Sequence, residues 1–231
     1  MKTDRSSQLE DGARVVVLGG GPSGAFFAIH LLSMARAAGK TIRVTIVDQR
    51  MEKTAAGDVR DVKGCNCCAG VISPLLQKEL VRAKIKLPDA VLCQKFSHIW
   101  IHGLWKNFPL KVPAGAHLLS VFRGSLPAKR GRSIQGFDAF VLEKALSMGA
   151  GLVTAKAVNL SYSSKNKPVV SLDAASALPF DLEADFLCLA AGINAQKRGG
   201  PSTLLNAFSS LIPGFVPAVT RPALIFELKP G

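Results

Sequence analysis

No stretch of the 231-residue chain reaches the roughly 18 uninterrupted apolar residues of a membrane-spanning helix. The start, Met1 to Gly12, is polar and carries acidic residues, so it does not read as a signal peptide either. Together these absences point to a cytoplasmic protein. Acidic residues are scarce: 16 Asp and Glu stand against 29 Lys and Arg, a net charge of +13. Such a balance raises nucleic acid or an anionic membrane surface as partners. The basic residues are scattered, however. The densest groups, Lys78, Arg82, Lys84 and Lys86, and Arg123, Lys129, Arg130 and Arg132, are not interleaved with the aromatic residues that single-strand binding favours. The reading is therefore against nucleic acid; a phosphate-rich cofactor or a peripheral lipid contact suits the charge equally well. Also missing are a Ser/His/Asp order, an H-E-x-x-H pair and a P-loop lysine, which leaves hydrolase and phosphotransfer readings without support. No internal repeat is present. Cysteines number five, an odd count without secretory context, which argues for reduced thiols.

What is present is a strong signal in the first fifty residues. Arg14 to Leu18, RVVVL, is a β-branched run suited to a strand buried on both faces of a parallel sheet. It leads into Gly19-Gly20-Gly21-Pro22-Ser23-Gly24, which fits G-x-G-x-x-G. Ala25 to Ala38 then reads as an apolar helix closed by Gly39, and Thr41 to Val47 as a second strand ending at Asp48. Each part has a task. Gly19 permits the tight turn, Gly21 lets the backbone approach a pyrophosphate, and Gly24 lets helix and strand pack closely. The helix N-terminus presents free N–H groups and a partial positive charge to the phosphates. Asp48, 24 residues beyond Gly24, stands where a carboxylate can accept hydrogen bonds from ribose hydroxyls and would repel a 2′-phosphate. A dinucleotide is thus expected in this βαβ unit, with Pro22, Ser23, Gln49 and Arg50 in the contact set. The fingerprint does not separate FAD from NAD, which share the ADP moiety.

Downstream, Phe137 to Gly149 has helical spacing, and Leu152 to Tyr162, Pro168 to Leu172 and Asp185 to Leu189 read as strands, with a turn at Ser161 to Pro168. In this order the chain resembles the FAD-dependent oxidoreductases of the geranylgeranyl reductase and aromatic-hydroxylase type. The residues that carry the resemblance are the glycine fingerprint, Gly136-Phe137-Asp138 opening a helix, and Glu183 to Gly192 as a strand returning to the flavin domain. Gly64 to Gly70, GCNCCAG, and Arg123-Gly124 add to it. The resemblance implies FAD as cofactor, a hydrophobic organic substrate and NAD(P)H as a candidate electron donor. It implies Val158 against adenine, Ala191 and Gly192 at a cofactor turn whose middle position has no polar side chain, and Cys68, with Cys65 and Cys67, near the flavin.

The implied fold is α/β: a Rossmann-like FAD/NAD(P)-binding domain with an antiparallel β crossover, and the start of a β-rich substrate domain. The expected segments are a tail at 1–12, the FAD-binding part at 13–89, a substrate segment at 90–134, a second FAD-binding segment at 135–200 and a substrate segment beginning at 201–231. Family members are usually longer and carry a later Gly-Asp at the flavin. Gly57-Asp58 comes too early, so the chain reads as shortened or a fragment, and Arg221 to Lys229 as a strand at its end. An NAD-binding dehydrogenase and a non-catalytic dinucleotide-binding remnant remain the alternatives.

No catalytic residue is assigned. The Cys65, Cys67 and Cys68 cluster is read as a tight loop of small residues packed against a cofactor, with thiol redox chemistry and metal ligation as alternatives, the latter disfavoured because structural zinc takes four ligands in two separated pairs. Cys93, His98 and His102 do not complete it, because an alternating strand over Phe96 to His102 sets the two histidines ~13 Å apart. His30 reads as a helix residue without a catalytic role. Trp100 and Trp105 are explained by packing within a hairpin that turns near His102-Gly103.

Overall fold

The computed structural model describes residues 8–55, 58–61, 70–124, 136–174, 177–192, 203–212 and 214–216. In chain order, β1 (Arg14–Leu18), α1 (Pro22–Ala37) and β2 (Arg43–Val47) form the opening βαβ unit, and two short strands follow, β3 (Met51–Lys53) and β4 (Val59–Asp61). Next come β5 (Val71–Ile72), α2 (Pro74–Arg82), β6 (Leu92–Phe96), β7 (His98–His102), β8 (Asn107–Lys111) and β9 (Leu118–Val121). Helix α3 (Phe137–Ser147) precedes β10 (Gly151–Val153), β11 (Lys156–Tyr162), β12 (Pro168–Asp173), β13 (Phe180–Glu183), β14 (Phe186–Leu189) and α4 (Thr203–Leu211). The described residues fall into two compact units, one formed by the chain up to Val59 and from Val141 onward, the other by 60–140.

The first unit is built on a four-stranded sheet in the order β10-β2-β1-β14, all parallel. β1 is central, and its Val15, Val16, Val17 and Leu18 are all buried, as the unbroken β-branched run requires of a strand covered on both faces. One cover is α1. It buries Ala25, Ala28, Ile29, Leu32 and Ala35, and these mostly small side chains let it lie close to the sheet. It stops where Gly39 takes a left-handed φ of 67°. The other cover is an antiparallel meander, β11-β12-β13, whose Leu160, Val170 and Leu172 pack with Val16, Leu18 and Val47. Helix α4 adds Leu204, Ala207, Phe208 and Leu211 to the same cluster. A parallel sheet with helix on one side and antiparallel crossover on the other is the α/β architecture expected from the sequence.

One expected element divides. Leu152 to Tyr162 reads as a single strand-like run, but it contributes β10 to the parallel sheet and β11 to the meander. The break lies at Thr154-Ala155, where Thr154 Oγ1 donates to the Met51 carbonyl at 2.7 Å and the Ala155 amide folds back on the Val153 carbonyl. The side-chain bond to a neighbouring segment overrides the local strand preference.

The second unit contains a small antiparallel sheet, β5-β9-β6, beside α2, which Ser73 caps through its hydroxyl accepting from the Leu76 amide. It also contains the β7–β8 hairpin, paired from His98 with Lys111 to His102 with Asn107. Among the described residues, no helix is long and apolar enough to cross a membrane.

Candidate dinucleotide site

The carboxyl ends of β1 and β14 meet at the glycine loop. β2 lies on one side of β1 and β14 on the other, so this is the point where the connections diverge, the usual ligand crevice of an open α/β sheet. The Ala190 amide donates to the Leu18 carbonyl at 2.8 Å, bringing Ala191 and Gly192 beside Gly19. Gly19 has φ +116°, and a Cβ there would fall onto the Ala190 carbonyl and sit 3.1 Å from the Ala191 Cα. No other residue fits. Gly24 is equally constrained: a Cβ would overlap the Gly19 carbonyl oxygen and press on Val17 Cγ1 at 3.1 Å. The tight turn and the close helix packing expected of these two glycines are both present.

Gly21 is different. As N-cap of α1 it has φ −67° and ψ −178°, an extended conformation open to any residue. Its own backbone does not demand glycine, which is consistent with a role in leaving open the approach to the helix end. That end is bare. Pro22 has no N–H, no side chain caps the helix, no acid occupies the first turn, and the first helical bond is Ala25 N–H to the Gly21 carbonyl. The amides of Ser23 and Gly24 precede that ladder and, with the helix dipole, offer donors to an anion.

Asp48 is 8% exposed, and its carboxylate clamps two backbone segments. Oδ2 accepts from the Gly20 amide at 2.7 Å, and Oδ1 accepts from the Arg50 amide at 2.7 Å, with Arg50 Nε at 3.8 Å. A carboxylate has about four lone-pair positions, so these bonds leave acceptor capacity for a hydroxyl. Gly20 was given no task by the sequence pattern, where it is the first x of G-x-G. Here its amide holds Asp48, and a Cβ on it would stand 3.2 Å from both Asp48 Cβ and Leu142 Cδ2. The run of three glycines was the available signal. Gln49 is exposed beside the clamp.

Val158 sits at a register break in β11, between Ala157 opposite Leu172 and Asn159 opposite Ser171, and its side chain is exposed. A bulge of this kind takes a residue out of the ladder and re-aims its side chain. Gly192 has φ +73°, so the expected turn glycine is one the backbone needs.

In the second unit, the Arg-Gly segment and the start of α3 are fastened together. Arg123 Nε and a terminal nitrogen bond the two oxygens of Asp138 at 2.9 and 2.8 Å, and Asp138 is fully buried. The Phe137 and Asp138 amides donate to the Phe122 and Arg123 carbonyls. The sequence singled out both segments but not their pairing. Cys65, Cys67 and Cys68, and Lys129, Arg130 and Arg132, lie outside the described residues, as does the expected strand at Arg221 to Lys229. Cys188, on β14, is half-buried, which pushes its thiol pKa up and makes it a poor nucleophile. His98 and His102 occupy the two ends of β7, and among the described residues no three His, Cys, Asp or Glu side chains converge as for a metal.

The packing explanation holds in part for Trp100, which meets the His98 ring edge-on at 6.2 Å, but not for Trp105. Trp100 remains 54% exposed and Trp105 93%, because neither strand of the hairpin buries a residue.

At the opposite, amino ends of β1 and β14, the Asp185 amide donates to the Arg14 carbonyl at 2.8 Å. The Arg14 amide also donates to Asp185 Oδ2 at 2.7 Å, and Lys167 reaches Oδ1 at 2.6 Å. The Arg14 amide first, then the Lys167 ammonium, hold the Asp185 pKa down. Arg14 does the same for Glu183. These ion pairs tie strands together far along the sheet from the glycine loop.

No family model matches the chain, and no curated protein sequence matches it. Solved structures do. A flavoprotein/dehydrogenase from Cytophaga hutchinsonii superposes with a TM-score of 0.54 at 16% identity, over 80% of this chain and 40% of that one. A triple mutant of a flavin-dependent brominase superposes with a TM-score of 0.51 at 16% identity, over 78% and 39%. The chain thus spans about two fifths of the length of these proteins and shares their fold over about four fifths of its own.

Proposed function

We propose that the chain holds the ADP half of FAD and forms the nucleotide-binding part of a flavin-dependent oxidoreductase. The observation that carries this is the Gly19 to Gly24 loop, clamped by Asp48 and opening onto the uncapped end of α1 where β1 and β14 meet. In this reading the Ser23 and Gly24 amides receive the pyrophosphate and Asp48 receives the ribose hydroxyls. Gln49, Arg50, Ala191 and Gly192 border the nucleotide, and Val158 lies against adenine. FAD is favoured over NAD by the antiparallel crossover on the sheet and by the likeness in fold to a flavoprotein dehydrogenase and a flavin-dependent brominase.

A bound flavin would supply hydride chemistry; the chain's residues bind and orient it. The finer reading, a geranylgeranyl-reductase-like enzyme acting on a hydrophobic organic molecule with NAD(P)H as donor and Cys68 near the flavin, rests on the sequence resemblance.

Titration of the purified chain with FAD and with NADH separates the cofactors. The proposal expects FAD to bind at least roughly tenfold more tightly, a difference of about 1.4 kcal/mol. Tighter binding of NADH would replace it with a nicotinamide dehydrogenase.

A further inference from the structure

The β7–β8 hairpin exposes all ten of its paired residues, and an isolated two-stranded hairpin is at best marginally stable in water. Its register sorts the side chains. Ile99 opposite Leu110 and Ile101 opposite Phe108 share one face, which is wholly apolar, while the other carries Trp100 opposite Pro109 between the polar pairs His98 with Lys111 and His102 with Asn107. At the apex, closed by the Gly103 amide on the Lys106 carbonyl at 3.1 Å, Leu104 and Trp105 are 98% and 93% exposed and Lys106 follows directly. Charge is also segregated here. Residues 90–122 contain three Lys, Lys95, Lys106 and Lys111, and not one Asp or Glu.

We infer that this hairpin is a peripheral anchor that inserts its Leu104-Trp105 apex into the interface of an anionic lipid bilayer. An apolar tip with an indole at the headgroup level, followed directly by a lysine, is the chemistry of interfacial binding, and a stretch without acids is complementary to an anionic leaflet. Single-stranded nucleic acid would also meet the charge. It stacks on aromatic platforms, though, whereas Trp100 and Phe108 lie on opposite faces of the hairpin and Trp105 at its apex, so their rings do not line up as one platform. The inference does not depend on the identity of the nucleotide.

The chain's two tryptophans are Trp100 and Trp105, so its indole fluorescence reports on the hairpin alone. The full chain is mixed with vesicles of phosphatidylcholine plus phosphatidylserine, with phosphatidylcholine alone, or with oligouridylate. The expected result is a blue shift and co-sedimentation with the anionic vesicles, weaker binding to the neutral ones, and partial loss in salt. Leu104→Ser/Trp105→Ser, which keeps Trp100 as reporter, should weaken vesicle binding roughly tenfold or more with an unchanged far-ultraviolet spectrum. In Trp100→Phe the shift should persist, which assigns it to the apex. Three results would overturn the inference: emission already blue in buffer and indifferent to vesicles, equal vesicle binding by the double variant, or oligouridylate displacing the vesicles and producing the larger shift.

Discussion

The glycine loop and the β7–β8 hairpin are built on opposite terms. At the loop, the positions are over-determined: Gly19 and Gly24 accept no side chain, Asp48 uses both oxygens to hold backbone, and β1 is buried from Val15 to Leu18. At the hairpin, register alone orders ten exposed residues, and an indole at the apex touches almost nothing. The lesson is that the first region owes its shape to the chain itself, whereas the second carries surface that the chain leaves open to an external medium.

Substitutions should bring out this contrast. Gly24→Val, which drives a branched side chain into the Gly19 carbonyl and Val17, should cost about 3 kcal/mol or more and abolish cooperative melting or nucleotide binding. A Gly24→Val protein with wild-type melting temperature would mean that the close packing of α1 is not needed. Arg123→Ala strips the fully buried Asp138 of its bidentate partner. Because Arg123 is itself partly exposed, the loss should be about 2 kcal/mol rather than the larger figure of a sealed pair, measurable by urea denaturation. Asp48→Asn retains an acceptor for the Gly20 amide but not the charge. It also sets an amide donor against the Arg50 N–H, so stability should fall by about 1 kcal/mol while FAD affinity drops roughly tenfold, read by titration.

Asp185→Asn tests a pH effect. The wild-type carboxylate has a folded pKa below its usual 3.8, so its contribution is present above that value and disappears as pH falls through the folded pKa. The stability gap between wild type and variant should therefore be largest near neutrality and close in acid. The smallest effect belongs to the hairpin: Leu104→Ser/Trp105→Ser should shift stability by no more than about 0.5 kcal/mol in buffer.

The same contrast explains what could be read from the sequence. The RVVVL strand, the glycine spacing, the Gly39 stop of α1 and the returning strand before Gly192 were legible because local preference and tertiary role coincide there. The division of Leu152 to Tyr162 was not, since it depends on Thr154 bonding Met51 across 103 residues. Nor was the Gly20 to Asp48 clamp, a contact over 28 residues that no period encodes. Aromatic residues beside a turn ordinarily find a neighbour, and Trp100 does, in His98; Trp105, at the apex, does not, and only the position of the turn shows this.

The central claim is that the ADP half of the cofactor is what the chain grips. Calorimetric titration of the purified chain with FAD, ADP-ribose and FMN tests it most directly. FAD and ADP-ribose should bind with similar affinity, FMN should not bind, and Gly21→Asp, which sets a carboxylate against the pyrophosphate, should remove both. FMN binding as tightly as FAD, or a folded chain that binds neither FAD nor ADP-ribose, would contradict the account.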